Sequence, residues 1–185
     1  MNVVEEIRMF VEGECKKGSS NYGYEPYVFH FIPMHRSAKI LAEKLGADVE
    51  VVELAVWLHD LGSIIHGRKD HHITGAKIAE DKLMEFNYPK DKIDKVKKCI
   101  LNHRGSVVNR KESIEEQIIA DTDVLSAFEN IGGLFKAAYV FEGLNQREGM
   151  ESVRQKLINS YNKLTFLESK EIIKSKYEAA MLLLK

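Results

Sequence analysis

The sequence predicts an all-α protein, a globular helical bundle. Along most of its 185 residues, apolar side chains recur at the three- and four-residue spacings of an amphipathic helix. No strong run alternates apolar and polar residues as a half-buried strand does, and no hairpin dipeptide is found. The three prolines and most glycines lie at the boundaries of the helical segments, where helices begin and end.

Six helices are predicted in order over the first two-thirds of the chain, at about 2–16, 28–45, 49–61, 71–86, 91–103 and 114–128. Pro33 fits the second helix only in its first turn, where the missing N–H is no loss. Gly46 then ends that helix, and Asp48 caps the third.

The remaining boundaries follow from glycines and small polar residues. Gly62 closes the third helix, and the following "SIIHGRKD" is typical of a loop. Ser113 caps the sixth helix, and Glu116, three residues later, completes a capping box. The segment beyond Gly132 and Gly133 predicts two or three further helices that complete the bundle.

Composition limits the class of protein. The chain has 44% hydrophobic and 30% charged residues, as soluble proteins do, and its length fits one domain over residues 1–185. A net charge of −1 offers no general attraction for nucleic acid. We find no signal peptide and no run of about 18 apolar residues, so we expect no membrane segment. Cys15 and Cys99 form no C-x-x-C pair, which favours a reducing, cytoplasmic location.

The distribution of histidine predicts a metal site. All seven histidines lie between residues 30 and 103. His30, His59 and His103 each continue the apolar stripe of a different helix, and Asp60 directly follows one of them. A single histidine in such a position is more often a core residue bonded to a backbone carbonyl. Three of them with a carboxylate favour a metal, because a cation would neutralise a buried Asp60.

The order of these residues resembles the HD-domain metal-dependent phosphohydrolase superfamily. A lone His-Asp dipeptide means little, but five ordered segments at helix-compatible spacing are a specific signal. The segments are "HFIPMHRSAKILA" (30–42), "AVWLHDLGS" (55–63), "HHITGAKIAEDKL" (71–83), "CILNHRG" (99–105) and "IEEQIIADTDVLSAF" (114–128). The resemblance covers about residues 25–130, and we expect the first helix and the helices of about 134–185 to complete the same domain.

The resemblance also implies a ligand set. A first divalent metal would be held by His30, His59, Asp60 and Asp123. Members with two further histidines, matched here by His71 and His103, often bind a second ion, and Asp60 would then bridge the two. In members with one metal, those two positions face the substrate phosphate instead. The ion itself, whether Mn, Fe, Mg, Co, Ni or Zn, is not indicated.

Two of these positions have alternatives in the sequence. Periodicity places Asp121 on the inward stripe of its helix, whereas the resemblance favours Asp123. Residues two apart point about 200° apart, so we expect only one of them at the first metal. We choose Asp123, with Asp121 as the alternative. His71 has the family spacing to Gly75, whereas His72 shares a face with apolar residues, and we choose His71.

The function that the resemblance implies is hydrolysis of a phosphate ester or anhydride in a nucleotide or another small phosphorylated metabolite. Asp60, His71 and His103 would act in catalysis together with Arg104, a candidate donor to the phosphate. Further cationic candidates, which would otherwise be solvated surface charges, are Arg68, Lys69 and the weaker Arg36. The segment "GYEPY" (23–27) would supply aromatic walls for a base, or else be a packed loop.

Two other functions fit the same ligands. A di-iron oxygenase would use the full histidine and carboxylate set, and a sensing module would bind a nucleotide without turnover. We expect a small-molecule partner and no nucleic acid. The apolar residues at 181–184 of the last helix would allow a homodimer contact.

Overall fold

The computed structural model describes residues 2–103 and 111–185, and it confirms the all-α class because these two ranges contain no strand. Its elements are α1 (Val3–Lys16), a first π-turn (Tyr27–Phe31), α2 (Ile32–Leu45), α3 (Val49–Leu58), α4 (Leu61–His66), α5 (His71–Glu85), α6 (Lys90–Asn102), α7 (Ile114–Glu129), α8 (Ile131–Lys136), a second π-turn (Ala137–Phe141), α9 (Gln146–Lys163) and α10 (Leu167–Leu183). None of the helices in these ranges is long and apolar enough to cross a membrane.

Helix α3 lies at the centre of the bundle. From Val51 to Leu58 every residue except Glu53 is buried, and the helix packs against α1, α2, α5, α6 and α7. Such a helix has no solvated face, as its nearly continuous apolar sequence predicts. The C-terminal end of α3 therefore carries His59 and Asp60 into the interior, where four other elements can reach them.

The predicted boundary between α2 and α3 is confirmed, and so is the predicted place of Pro33. Gly46 has φ of 71°, a left-handed conformation that favours glycine after a helix. The Asp48 carboxylate accepts a hydrogen bond from the N–H of Val51 at 3.3 Å and caps α3. Pro33 lies in the first turn of α2, directly after the first π-turn. Since Pro33 has no N–H to donate, the backbone before it is released from α-helical hydrogen bonding.

The predicted capping box of α7 is wrong in one half. The Ser113 hydroxyl accepts the N–H of Glu116 at 3.2 Å, as expected. The Glu116 carboxylate, however, accepts the N–H of Glu112 at 3.4 Å and the side-chain amide of Asn102 at 2.7 Å. Glu116 therefore joins the end of α6 to the start of α7 instead of returning to its own cap.

The segment after α3 was predicted incorrectly. Gly62 does not close α3, which ends at Leu58, and the first half of the expected loop belongs to the short helix α4. A side chain on Gly62 would lie 2.2 Å from the carbonyl oxygen of His71 and 2.6 Å from the nitrogen of Gly75. The missing Cβ thus allows α4 to lie directly against α5, which positions His71. Six residues are too short a segment for a periodic signal.

Replacing Gly62 by alanine is expected to lower the free energy of unfolding by about 3 kcal/mol or more, because the backbone of α5 must move to admit the methyl group. The matched control is Gly13→Ala in α1, where nothing lies within 4 Å of the added Cβ. That change should raise stability by about 0.5–1 kcal/mol through helix propensity. Urea unfolding measures the free energy of unfolding of both variants. If the two values were equal, the close packing of α4 on α5 would be contradicted.

Candidate metal centre

Six side chains converge at the inner ends of these helices. They are His30 in the first π-turn, His59 and Asp60 after α3, His71 at the start of α5, His103 after α6 and Asp123 within α7. All six are the residues that the resemblance selects.

The first half of the cluster contains two imidazoles and two carboxylates. The Nε2 atoms of His30 and His59 lie 2.9 Å apart. Oδ2 of Asp60 lies 3.7 Å from the first of these nitrogens and 3.6 Å from the second. Oδ1 of Asp123 lies 3.7 Å and 4.0 Å from the same two atoms. Four ligand atoms thus surround one point.

The second half uses the other oxygen of Asp60. Oδ1 lies 3.2 Å from Nε2 of His71 and 3.7 Å from Nε2 of His103. Those two ring nitrogens are 3.3 Å apart. Each oxygen of one carboxylate therefore faces its own pair of histidines, which is the geometry of a bridging ligand.

Three of the four histidines are fixed by the same kind of bond. Their Nδ1 atoms donate to carbonyl oxygens three residues earlier: His59 to Val56 at 2.8 Å, His71 to Arg68 at 2.9 Å and His103 to Ile100 at 2.6 Å. A proton on Nδ1 leaves the lone pair on Nε2. All three rings consequently present an acceptor atom to the cluster.

Ser126 fixes the fourth ring in the same way. Its hydroxyl donates to the carbonyl oxygen of Asp123 at 2.7 Å, so its oxygen accepts from Nδ1 of His30 at 2.8 Å. The Nε2 lone pair of His30 is therefore also directed inward. The sequence analysis missed Ser126, although its position three residues after Asp123, on the same face of α7, is a signal that could have found it.

The charges in the cluster favour a cation. Burial lowers the pKa of His59 to about 4, so this ring is neutral at neutral pH. Burial would raise the pKa of Asp60, but the nearby His59, His103 and His71 outweigh it and hold that pKa well below its ordinary value. Burial likewise opposes the charge on His103, but the nearby Asp60 carboxylate outweighs it and raises the pKa of His103. A divalent cation would supply the positive charge that the Asp60 carboxylate favours, and it would separate the facing Nε2 lone pairs.

The donor set fits a divalent transition metal. Imidazole nitrogen suits Zn, Fe, Ni and Cu, and carboxylate oxygen suits harder ions such as Mn and Mg. Each histidine already has the hydrogen bond on its second nitrogen that metal-binding histidines need. His30, His59, Asp60 and Asp123 would hold one ion, while Asp60, His71 and His103 would hold another.

The two alternatives lie elsewhere. Asp121 is buried, with 2% exposed, but its carboxylate accepts the N–H of Thr165 at 2.9 Å and that of Phe166 at 3.0 Å. It caps the start of α10, for which Phe166 offers no capping side chain. His72 is outside both clustered groups in the described ranges and contacts His71 edge to face.

All of the clustered side chains except the fully buried His59 line an open cleft of about 1060 Å³. Two cationic side chains among the described residues line it, the predicted Arg68 and the unpredicted Lys136. Lys136 forms an ion pair with Glu25 at 2.9 Å, whereas no ion pair of Arg68 is found in the described part of the chain. Lys69 and Arg36 do not line the cleft. Arg104 lies outside the described residues.

The segment "GYEPY" leads into the first π-turn, and neither of its tyrosine rings is a wall of the site. Tyr24 donates a hydrogen bond to Glu12 at 2.9 Å, and Tyr27 is buried beside Arg8. Neither ring lines the cleft, but Tyr22, just before this segment, does. Two aromatic residues that the sequence analysis did not select, Phe29 and Phe141, also line it.

Comparison with known protein families agrees with this geometry. The HD-domain family profile matches residues 27–127, a range that contains all six clustered side chains. The chain belongs to the HD-domain family.

Curated relatives of this chain include proteins named Ribonuclease Y. The one from Finegoldia magna is 33% identical over 100 residues, and the one from Symbiobacterium thermophilum is 33% identical over 113 residues. The matched segments cover 53% and 60% of this chain but only 18% and 20% of those proteins. This HD-domain chain is therefore similar to a small part of each.

Solved structures share the fold over nearly the whole chain. An HD-superfamily hydrolase from Bacillus thuringiensis superposes with a TM-score of 0.73 at 19% identity, covering 97% of this chain and 91% of the other. YpgQ from Bacillus subtilis, in complex with ADP, superposes with a TM-score of 0.70 at 21% identity, covering 97% and 92%. At these identities the likeness shows a common fold.

Proposed function

We propose that this HD-domain protein is a divalent-metal-dependent phosphohydrolase that acts on a nucleotide or another small phosphorylated metabolite. One observation carries the proposal: the two oxygens of Asp60 face two separate histidine pairs whose Nε2 lone pairs converge beside an open cleft, which His30, His71 and His103 line. The site thus provides ligands for one or two ions and space for a substrate beside them.

The bound ions would polarise a phosphoryl oxygen and lower the pKa of a coordinated water, so that hydroxide forms near neutral pH. The protein groups orient the reactants. Asp60 stays ionised between the histidine pairs, within reach of the proton that the attacking water loses. If only the first ion is bound, His71 and His103 remain free to face the phosphate.

Arg68 is the described cation best placed for the phosphate. The carbonyl oxygen of Arg68 accepts the hydrogen bond from Nδ1 of His71 at 2.9 Å, and the Arg68 side chain lines the same cleft. A guanidinium without an ion-pair partner in the described chain is available for two non-bridging phosphate oxygens. Arg104, beside His103 in the sequence, remains a second candidate for this role.

Two observations support a small substrate. The cleft has about the volume of a small-molecule site. YpgQ, which shares the fold, has been crystallised with ADP. The Ribonuclease Y relatives raise an alternative substrate, a phosphodiester in RNA. This chain, however, matches only a small part of those proteins.

The test is a substrate panel after chelation and reconstitution with Mn²⁺, Co²⁺, Fe²⁺ or Mg²⁺. It includes nucleoside mono-, di- and triphosphates, model phosphomonoesters and phosphodiesters, and a single-stranded oligoribonucleotide, with phosphate, pyrophosphate and cleaved RNA measured. We expect metal-dependent release from a small phosphorylated compound. If every metal-loaded form leaves the whole panel intact, the hydrolase proposal is wrong. Oxygen consumption by the iron form would favour the oxygenase, and nucleotide binding without turnover would favour a sensing module.

A further inference from the structure

Three aromatic side chains at the rim of the cleft are unusually exposed. The exposed fractions are 44% for Tyr22, 50% for Phe29 and 73% for Phe141, and all three line the cleft above the histidine cluster. Scattered exposed apolar residues are ordinary on a protein surface. Three large rings around one concave site are different, because they expose apolar surface where a ligand would cover it.

These rings also lack aromatic partners. Within residues 2–103 and 111–185, none of the three makes a ring–ring or cation–ring contact. Their sequence neighbours behave differently: Tyr24 stacks on Tyr27 with centroids 5.3 Å apart, and Tyr139 stacks on Phe135 at 5.5 Å. The faces of the rim rings therefore remain available for a planar partner.

The backbone segments that carry these three rings have a defined structure. Phe29 precedes the candidate ligand His30 in the first π-turn, and Phe141 is the last residue of the second π-turn. Tyr22 follows Asn21, whose backbone N–H and side-chain amide both donate to the carbonyl oxygen of Ile64 at 3.0 Å. Elements with fixed backbones position a recognition site better than free loops do.

An ion pair connects the segments beside the two π-turns. Lys136, which directly precedes the second π-turn, contacts Glu25 at 2.9 Å, and Glu25 lies two residues before the first π-turn. Both residues line the cleft. The ion pair is exposed and adds little stability, but it shows that the segments carrying Phe29 and Phe141 approach each other at the cleft.

We propose that Tyr22, Phe29 and Phe141 form a stacking subsite for the planar base of a nucleotide whose phosphates lie at the histidine cluster. The proposal rests on the proposed function and extends it, since it assigns the rest of the cleft to the base. Stacking suits this site because every base offers a π-face, and removing one stacking ring commonly weakens binding about 5- to 100-fold.

The experiment compares two non-hydrolysable ligands on the Mn²⁺-loaded protein by calorimetry. Adenosine 5′-(α,β-methylene)diphosphate contains a base, and methylenediphosphonate does not. Phe29→Ala and Phe141→Ala should each raise the Kd for the first ligand about 10-fold and leave the Kd for the second unchanged. The matched controls are Val28→Ala and Val140→Ala, which remove exposed apolar side chains from the same two π-turns but do not line the cleft.

The proposal is overturned if the wild type does not bind the nucleotide analogue, if both phenylalanine variants bind it as the wild type does, or if the base-free ligand is weakened equally. Because both phenylalanines are exposed, their removal should leave the fold intact, and circular dichroism checks this. Because the readout is binding, the result does not depend on turnover. A protein that binds the base through these rings but hydrolyses nothing would refute the proposed function and keep this subsite.

Discussion

Asp60→Ala should lose both metal ions and lower kcat/KM by at least about 10³-fold, the largest effect that we expect from a single substitution. Its two oxygens face two different histidine pairs, at 3.6–3.7 Å from His30 and His59 and at 3.2–3.7 Å from His71 and His103. Removing the carboxylate therefore removes a ligand from both halves of the cluster. Metal content by mass spectrometry and turnover on the best substrate of the panel measure the two losses.

The variant should still fold. Asp60 precedes α4 but makes no capping hydrogen bond with its side chain, so its loss takes no bond from the helix. The control is Asp94→Ala, which removes an exposed carboxylate from α6 away from the cleft and should keep full metal content and activity. Turnover that survives in a folded, metal-free Asp60→Ala protein would refute the mechanism.

The pair Asp121→Asn and Asp123→Asn should show opposite effects. Asp121→Asn replaces a buried carboxylate that accepts two backbone N–H groups at the start of α10. It should lower the free energy of unfolding by about 2 kcal/mol and Tm by about 4–8 °C, with metal affinity unchanged. Asp123→Asn should change stability by less than about 0.5 kcal/mol and weaken binding of the first ion at least about 100-fold.

Thermal unfolding and metal titration of both variants decide the assignment. Each protein serves as the control for the other, because the two residues lie on the same helix and carry the same substitution. A loss of metal affinity in Asp121→Asn without a change in Tm would reverse the roles given to the two aspartates.

Helical periodicity accounts for much of the site. It identified the inward direction of His30, His59 and His103 because each continues an apolar stripe on a long, well-marked helix. It also identified Asp121 as buried, which is correct. Periodicity could not show that the Asp121 carboxylate accepts hydrogen bonds from backbone N–H groups more than 40 residues later. Only tertiary packing brings the start of α10 to that position. The ordered resemblance was needed to prefer Asp123.

The features that sequence reasoning missed depend on contacts between distant segments. Gly62 was read as a helix end because glycine commonly has that role, whereas here it allows close packing of α4 on α5. The spacing of Ser126 from Asp123 places both on one face of α7, but only the folded chain shows that its hydroxyl accepts the Nδ1 proton of His30. The rim of the cleft comes from three separate parts of the chain, and a linear pattern does not reveal that Tyr22, Phe29 and Phe141 face one space.

The most direct test of the metal centre is an anomalous-scattering map from crystals of the protein saturated with Mn²⁺. The account predicts two peaks. One should be bonded to Nε2 of His30 and His59 and the other to Nε2 of His71 and His103, with Asp60 contributing one oxygen to each. A single peak would contradict the bridging role of Asp60. A map with no Mn²⁺ at either histidine pair would contradict the metal centre itself.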